Sequence, residues 1–211
     1  MTERYDRLTD GTEKSDAGEV DVTATPEPTA QARPRLLDLE AQLPEAYKKA
    51  EIVGGALIMS PLRYFHGETL FQLQLQLANQ LPGEYWFAYD AIAPFPNEEH
   101  EFCPDLMVIP RQEFERNKAV CDPSLIQLVF EIISKSTAVF DYDTKVGVYA
   151  RAGISEYIIL DPYKAQATRY ARPEEGEYQV REYIKYGEPV QIENPFPCVI
   201  QTDVMPVDPR H

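Results

Sequence analysis

Leu125-Ile126-Gln127-Leu128-Val129-Phe130-Glu131-Ile132-Ile133-Ser134 is a nearly continuous apolar run, interrupted only by Gln127 and Glu131. Such a run predicts a strand covered on both faces of a sheet. Glu131 then stands where a carboxylate is costly unless it is protonated, paired or bound to a metal. An edge position facing water or an ion pair with a core Lys or Arg would also satisfy it, so the residue alone leaves structure and chemistry both open.

Upstream, Glu101-Phe102-Cys103-Pro104-Asp105-Leu106-Met107-Val108-Ile109 predicts a second strand over 105–109, with Asp105 at its start. Asp105 could meet Glu131 across the sheet, and two carboxylates would then share a divalent ion; oxygen ligands suit Mg²⁺ or Mn²⁺. A Pro-Asp pair also marks ordinary turns, and with 18 prolines several are expected. A further strand is expected over 85–92. On the other side of Glu131, a helix is expected over 141–152, with Arg151 in its last turn and Gly153 as a left-handed cap. A buried strand over 157–160 follows, then a hairpin of 165–171 and 178–186 about a charged turn at Pro173 to Gly176.

Nearer the N-terminus, runs at 49–53 and 56–59 joined by Gly54-Gly55 predict a β-hairpin. The stretch from His66 to Leu81 alternates like a strand at Leu73, Leu75 and Leu77, yet Leu70, Leu73, Leu77 and Leu81 recur at helical spacing. Its length favours a helix whose stripe also absorbs Phe71, Leu75 and Ala78 and which stops at Pro82-Gly83.

The bulk composition bounds the rest. A chain of 211 residues, 44% apolar with 13 Tyr and 9 Phe, suits one packed domain. Residues 1–34 are rich in Thr, Asp, Glu and Pro, and are expected to form a disordered acidic tail; the domain is expected over 35–211, with Leu36, Leu37, Leu39 and Leu43 opening it and Pro44 interrupting any helix there. No apolar stretch approaches the length of a membrane span, and the acidic N-terminus is unlike a secretory signal. Cys103, Cys121 and Cys198 lie at no zinc-ligand spacing and are expected to be buried or indifferent, which with the foregoing points to the cytoplasm.

The net charge of -15, of which the first 30 residues hold -5, runs against long-range attraction of nucleic acid. Acids clustered around metal ions, with basic residues along one groove, would be needed for a nuclease.

Taken together, Glu51-Ile52-Val53-Gly54-Gly55-Ala56-Leu57-Ile58-Met59-Ser60-Pro61, His66, Pro104-Asp105-Leu106, Glu131-Ile132-Ile133-Ser134-Lys135-Ser136-Thr137, Asp141 with Lys145, and Tyr149-Ala150-Arg151-Ala152-Gly153-Ile154-Ser155-Glu156-Tyr157 with Asp161-Pro162 resemble the bacterial restriction-endonuclease family called Uma2. The resemblance spans about half the chain, in the right order, and places it in the PD-(D/E)XK nuclease superfamily. It implies an α/β fold, a restriction-endonuclease-like mixed central β-sheet flanked by helices.

By that resemblance Asp105 and Glu131 are the two metal ligands. The superfamily's Lys would fall two residues after Glu131, where this chain has Ile133. The family commonly carries a Lys in the following helix instead, and Lys145 corresponds to it. Lys135 stands where the family usually has Pro and is either a second candidate amine or a surface residue. His66 matches a family His that would contact a metal-bound water, a phosphate or Glu131, or else only starts a helix. Glu51 matches an acid that would complete the ligand set or pair with Lys145. Ser134 and Thr137 would bond phosphate or, more simply, cap the next segment; Asp141 is read as the N-terminal cap of the helix bearing Lys145, and Tyr149 as core rather than catalyst. The activity implied is a Mg²⁺- or Mn²⁺-dependent endonuclease acting on DNA; the alternative is a catalytically inactive module of the same fold that binds nucleic acid or protein. A homodimer would suit double-strand cleavage, although no feature demands one.

Overall fold

The computed structural model describes residues 35–40, 50–59, 63–135 and 137–208. The expected tail over 1–34, and with it Leu43, Pro44 and Lys49, lies outside the described residues. In chain order the elements are α1 (Leu36–Glu40), β1 (Ala50–Val53), β2 (Ala56–Met59), α2 (Tyr64–Ala78), β3 (Tyr85–Ala88), β4 (Ala93–Phe95), β5 (His100–Phe102), β6 (Leu106–Pro110), α3 (Arg111–Phe114) and β7 (Leu128–Ile132). A π-helical turn, Phe140–Thr144, leads into α4 (Lys145–Arg151), followed by β8 (Glu156–Asp161), β9 (Gln166–Glu174), β10 (Glu177–Lys185), β11 (Val190–Ile192) and β12 (Cys198–Ile200).

The apolar run around Glu131 becomes β7, buried at every position inside a six-stranded sheet of order β10-β9-β8-β7-β6-β3. The sheet is mixed. β7 and β8 are parallel, and the other neighbours are antiparallel. Parallel neighbours need a crossover, and the segment from 133 to 155 supplies it, with α4 on one face. That face carries Met107, Val129, Tyr157 and Ile159, packed against Val148 and Tyr149 of α4. The other carries Leu106, Leu128, Phe130, Ile158 and Leu160, covered by Leu73 and Leu77 of α2 and by the β11-β12 hairpin. Adjacent residues of one strand thus enter different cores, which is the period of two expected in a sheet.

β1 and β2 form the expected hairpin, with Gly54 and Gly55 both at positive φ. They belong to a second sheet of order β2-β1-β5-β4, whose last two strands had no sequence signal: each has three residues. The expected strand over 85–92 ends at Ala88, and Ile92 instead bridges Val120. α2 forms as the leucine spacing demands, but its buried stripe is narrower than expected. Phe71, Leu75 and Ala78 face solvent, because the helix buries Thr69, Leu73 and Leu77, with Leu70 partly buried beside them, on the opposite side.

α4 ends as read from Gly153. Ile154 N–H donates to Tyr149 O and Gly153 N–H to Ala150 O, with Gly153 at φ +76, a Schellman arrangement. Its start differs from expectation. Asp141 sits buried within the π-helical turn and makes an ion pair with Lys145, and the N-cap position of α4 falls to Thr144. All three cysteines are buried, and burial pushes the Cys121 thiol up to about 11 and Cys198 up to about 12. Among the described residues no helix is long and apolar enough to cross a membrane.

Candidate functional site

β6 and β7 pair with Leu106 opposite Phe130 and Met107 opposite Val129. Continued by one residue, this register sets Asp105 opposite Glu131, with both side chains on the α4 face. The two are laced together through the backbone. Asp105 N–H donates to Glu131 Oε2 at 3.3 Å, and Ile132 N–H donates to Asp105 Oδ2 at 2.7 Å. Each carboxylate is therefore oriented by the strand that carries the other. Asp105 is 5% exposed and Glu131 1%.

Lys145 reaches the pair from above. The crossover leaves the end of β7 and turns back, so the first residue of α4 lies over Glu131, and Lys145 Nζ is 2.8 Å from Glu131 Oε1. The amine also lies 2.9 Å from Glu51 Oε1 and 2.9 Å from Asp141 Oδ1. Full burial on its own would lower the Lys145 pKa, but Asp141, Glu131 and Glu51 outweigh it and hold the ammonium well above its ordinary value. Glu51, on β1, accepts the Cys103 N–H at 3.0 Å, which ties the second sheet to the loop before Asp105.

His66, in the first turn of α2, donates from Nε2 to Asp105 Oδ1 at 2.9 Å, since an ionised carboxylate can only accept. Its Nδ1 is buried and has no hydrogen-bond partner among the described residues. Tyr149, read from the sequence as core, is fully buried and also donates its hydroxyl to Glu131 Oε1 at 3.2 Å. Burial, then the neighbouring Glu131, raise its pKa far above the ordinary phenol range, so it stays a neutral donor. Ser134 and Thr137 do form a local cap, with Thr137 N–H donating to Ser134 Oγ; Thr137 Oγ1 also donates to Asp141 Oδ2 at 3.0 Å. Lys135 is exposed, its amine 5.0 Å from the centre of the Tyr163 ring, and it does not line the cavity.

Glu51, His66, Asp105, Glu131 and Lys145 all line one cavity of about 720 Å³. Ile133 lines it as well, two residues beyond Glu131 on the same strand face. Sequence reasoning missed Arg63, Tyr64, Phe65 and Tyr163, which border the same cavity. Their neighbourhood depends on where α2 begins and on the Asp161-Pro162 turn, where Asp161 accepts the Tyr163 and Lys164 N–H groups. Neither is visible in residue spacing.

With four carboxylates around one ammonium and one imidazole, the cluster has a formal excess of negative charge in a buried setting. Hard oxygen donors in formal excess over the neighbouring cations suit a hard dication. Among the described residues no group of three or more His, Cys, Asp or Glu is arranged to hold a metal ion. A dication here would take few protein ligands and keep most of its water, as Mg²⁺ does.

Residues 35–206 match the model of the Uma2 family, described as "Putative restriction endonuclease". The chain belongs to the Uma2 family. Also similar is an uncharacterized protein of Synechocystis sp., sll1609, 28% identical over 159 residues, 72% of this chain and 87% of that one. Among solved structures, one from Anabaena variabilis, titled as a "putative nuclease belonging to DUF820", superposes with a TM-score of 0.53 at 18% identity, covering 75% of this chain and 89% of its own. That likeness establishes a nuclease-like fold for this Uma2 member, a mixed α/β sheet with few helices.

Proposed function

We propose that this chain is a divalent-metal-dependent endonuclease that hydrolyses DNA phosphodiester bonds, with Asp105 and Glu131 as ligands of Mg²⁺ or Mn²⁺. The observation that carries the reading is the 2.8 Å approach of Lys145 Nζ to Glu131, which brings an amine from the crossover helix to the carboxylate pair although Ile133 fills the usual strand position. The dication, when bound, would polarise the scissile phosphate and lower the pKa of a coordinated water.

The protein's own groups divide the remaining work. Lys145, held protonated against Glu131, Glu51 and Asp141, stabilises through its positive field the charge that builds on the phosphoryl oxygens, and it takes no proton itself. Glu51 and Asp141 are positioning residues that hold the amine from two further sides. His66 fixes the rotamer of Asp105 through its Nε2 contact. Tyr149 keeps Glu131 oriented.

Incubating purified protein with supercoiled and linear DNA in Mg²⁺ or Mn²⁺ tests this. Cleavage should occur and be lost in Asp105→Ala and in Glu131→Ala; cleavage that persists unchanged in both would refute the assignment. An inactive binding module of the same fold would instead retain DNA and leave it intact.

A further inference from the structure

The cavity's depth and its rim bear on the form of substrate that the proposed reaction can use. Asp105, Glu131 and Lys145 are all nearly sealed from solvent, at the floor of a space of about 720 Å³. That volume lies in the range of small-ligand pockets, roughly 300–1,000 Å³. Duplex DNA is a stiff rod with a persistence length of about 50 nm, and its phosphates lie on a convex outer surface. A concave pocket of this size cannot receive them without unpairing the strands. A single strand bends freely and can lower one phosphate to the floor.

The rim is aromatic. Tyr64, the first residue of α2, is 98% exposed, so its ring stands in water with no packing role. Phe65 beside it is also exposed, and Tyr163 borders the same cavity. Unpaired bases stack on exposed aromatic rings whatever their sequence, whereas paired bases within a duplex have no free face to offer. Among the described residues the cationic groups near the rim are few. Arg63 precedes Tyr64 and Lys135 lies 5.0 Å from the centre of the Tyr163 ring, while Lys145 is committed to three carboxylates. A duplex, with its higher line charge, needs many such contacts; a single strand needs fewer and loses less affinity with salt. The net charge of -15 sharpens that difference.

From these observations we infer that the substrate is single-stranded DNA, or the frayed end of a duplex, with bases stacked on Tyr64, Phe65 and Tyr163 and a backbone phosphate held by Arg63. This rests on the nuclease reading above and narrows it. One 30-nucleotide fluorescein-labelled sequence, offered to the full chain in Mn²⁺ both as a single strand and as a blunt duplex, tests it by anisotropy and by gel in parallel. The single strand should bind at least tenfold more tightly, and Tyr64→Ala should weaken that binding roughly tenfold while Tyr64→Trp preserves it. Because Tyr64 is 98% exposed, unchanged thermal unfolding of both variants is expected. Equal affinity for the two forms, a duplex preference, or no effect of Tyr64→Ala would overturn the inference. Single-strand binding without cleavage would overturn the nuclease reading and leave this one standing; equal cleavage of both forms would do the reverse.

Discussion

Removing the amine at the centre of the cluster, in Lys145→Met, tests the electrostatic account most directly. Lys145 is 1% exposed and touches carboxylates of Glu51, Glu131 and Asp141 at 2.8–2.9 Å. At an effective dielectric of about 20, each contact represents roughly 5–6 kcal/mol of attraction, offset by desolvation of the amine and by repulsion among the carboxylates. Taking one partner from a buried pair leaves charge uncompensated and costs about 3–5 kcal/mol. For a domain of this size that corresponds to a fall in Tm of roughly 6–20 °C. The dependence on pH follows from the direction of the Lys145 shift. A lysine raised in the folded state contributes its full stabilisation below its unfolded value, 10.5, and loses it only as pH rises through the higher folded value. The wild type therefore shows no change on its account between about pH 5 and pH 9. In the variant the carboxylates crowd one another without a cation, and protonating them relieves the crowding, so the deficit should shrink as pH falls from about 8 to about 5. Thermal unfolding by circular dichroism in EDTA, with Glu131→Gln/Lys145→Met as the second arm, measures this; the double variant should recover part of the loss. A drop under about 2 °C at pH 8, or one that is equal at both pH values, would refute the reasoning.

Two further outcomes are expected away from the cavity. Arg169 is buried against Glu156, with Nε–Oε2 2.7 Å and Nη2–Oε1 2.9 Å, and Glu156 also accepts the Glu193 and Asn194 N–H groups. Arg169→Met should cost about 3–5 kcal/mol in urea unfolding and speed amide exchange at Glu193 and Asn194. Gly176 lies at φ +84, and a Cβ there would come 2.8 Å from Arg151 Cγ, so Gly176→Ala should destabilise by about 1–2 kcal/mol, read as a lower urea midpoint.

The carboxylate pair was legible because two apolar strands each carried one acid at a place where only a reason could keep it. The amine was not legible from pattern. Lys145 is fourteen residues from Glu131, and only the resemblance to Uma2, or the crossover between parallel β7 and β8, brings the two together. Asp141 was misread because an acid before a helix is the ordinary signature of a cap, and burial against an ammonium leaves the same signature. β4, β5, β11 and β12 escaped notice because three residues cannot display a period, and proline interrupts or adjoins them at Pro94 and Pro197. Phe71 and Leu75 were assigned to a buried stripe by hydrophobicity alone, whereas the width of a helix's contact is set by what packs on it.

The lacing of Asp105 and Glu131 through each other's strands has an evolutionary corollary. Both acids answer to main-chain amides as well as to His66, Tyr149 and Lys145, so the strand register contributes to their placement independently of those side chains. The positive partner is under no such obligation. It needs only to arrive, from whichever element overhangs the cavity, and Ile133 and Lys145 both border that space. A lineage can therefore surrender the strand lysine once another has appeared on the crossover, passing through ancestors that carried both, and the motif drifts in sequence while the constellation stays put.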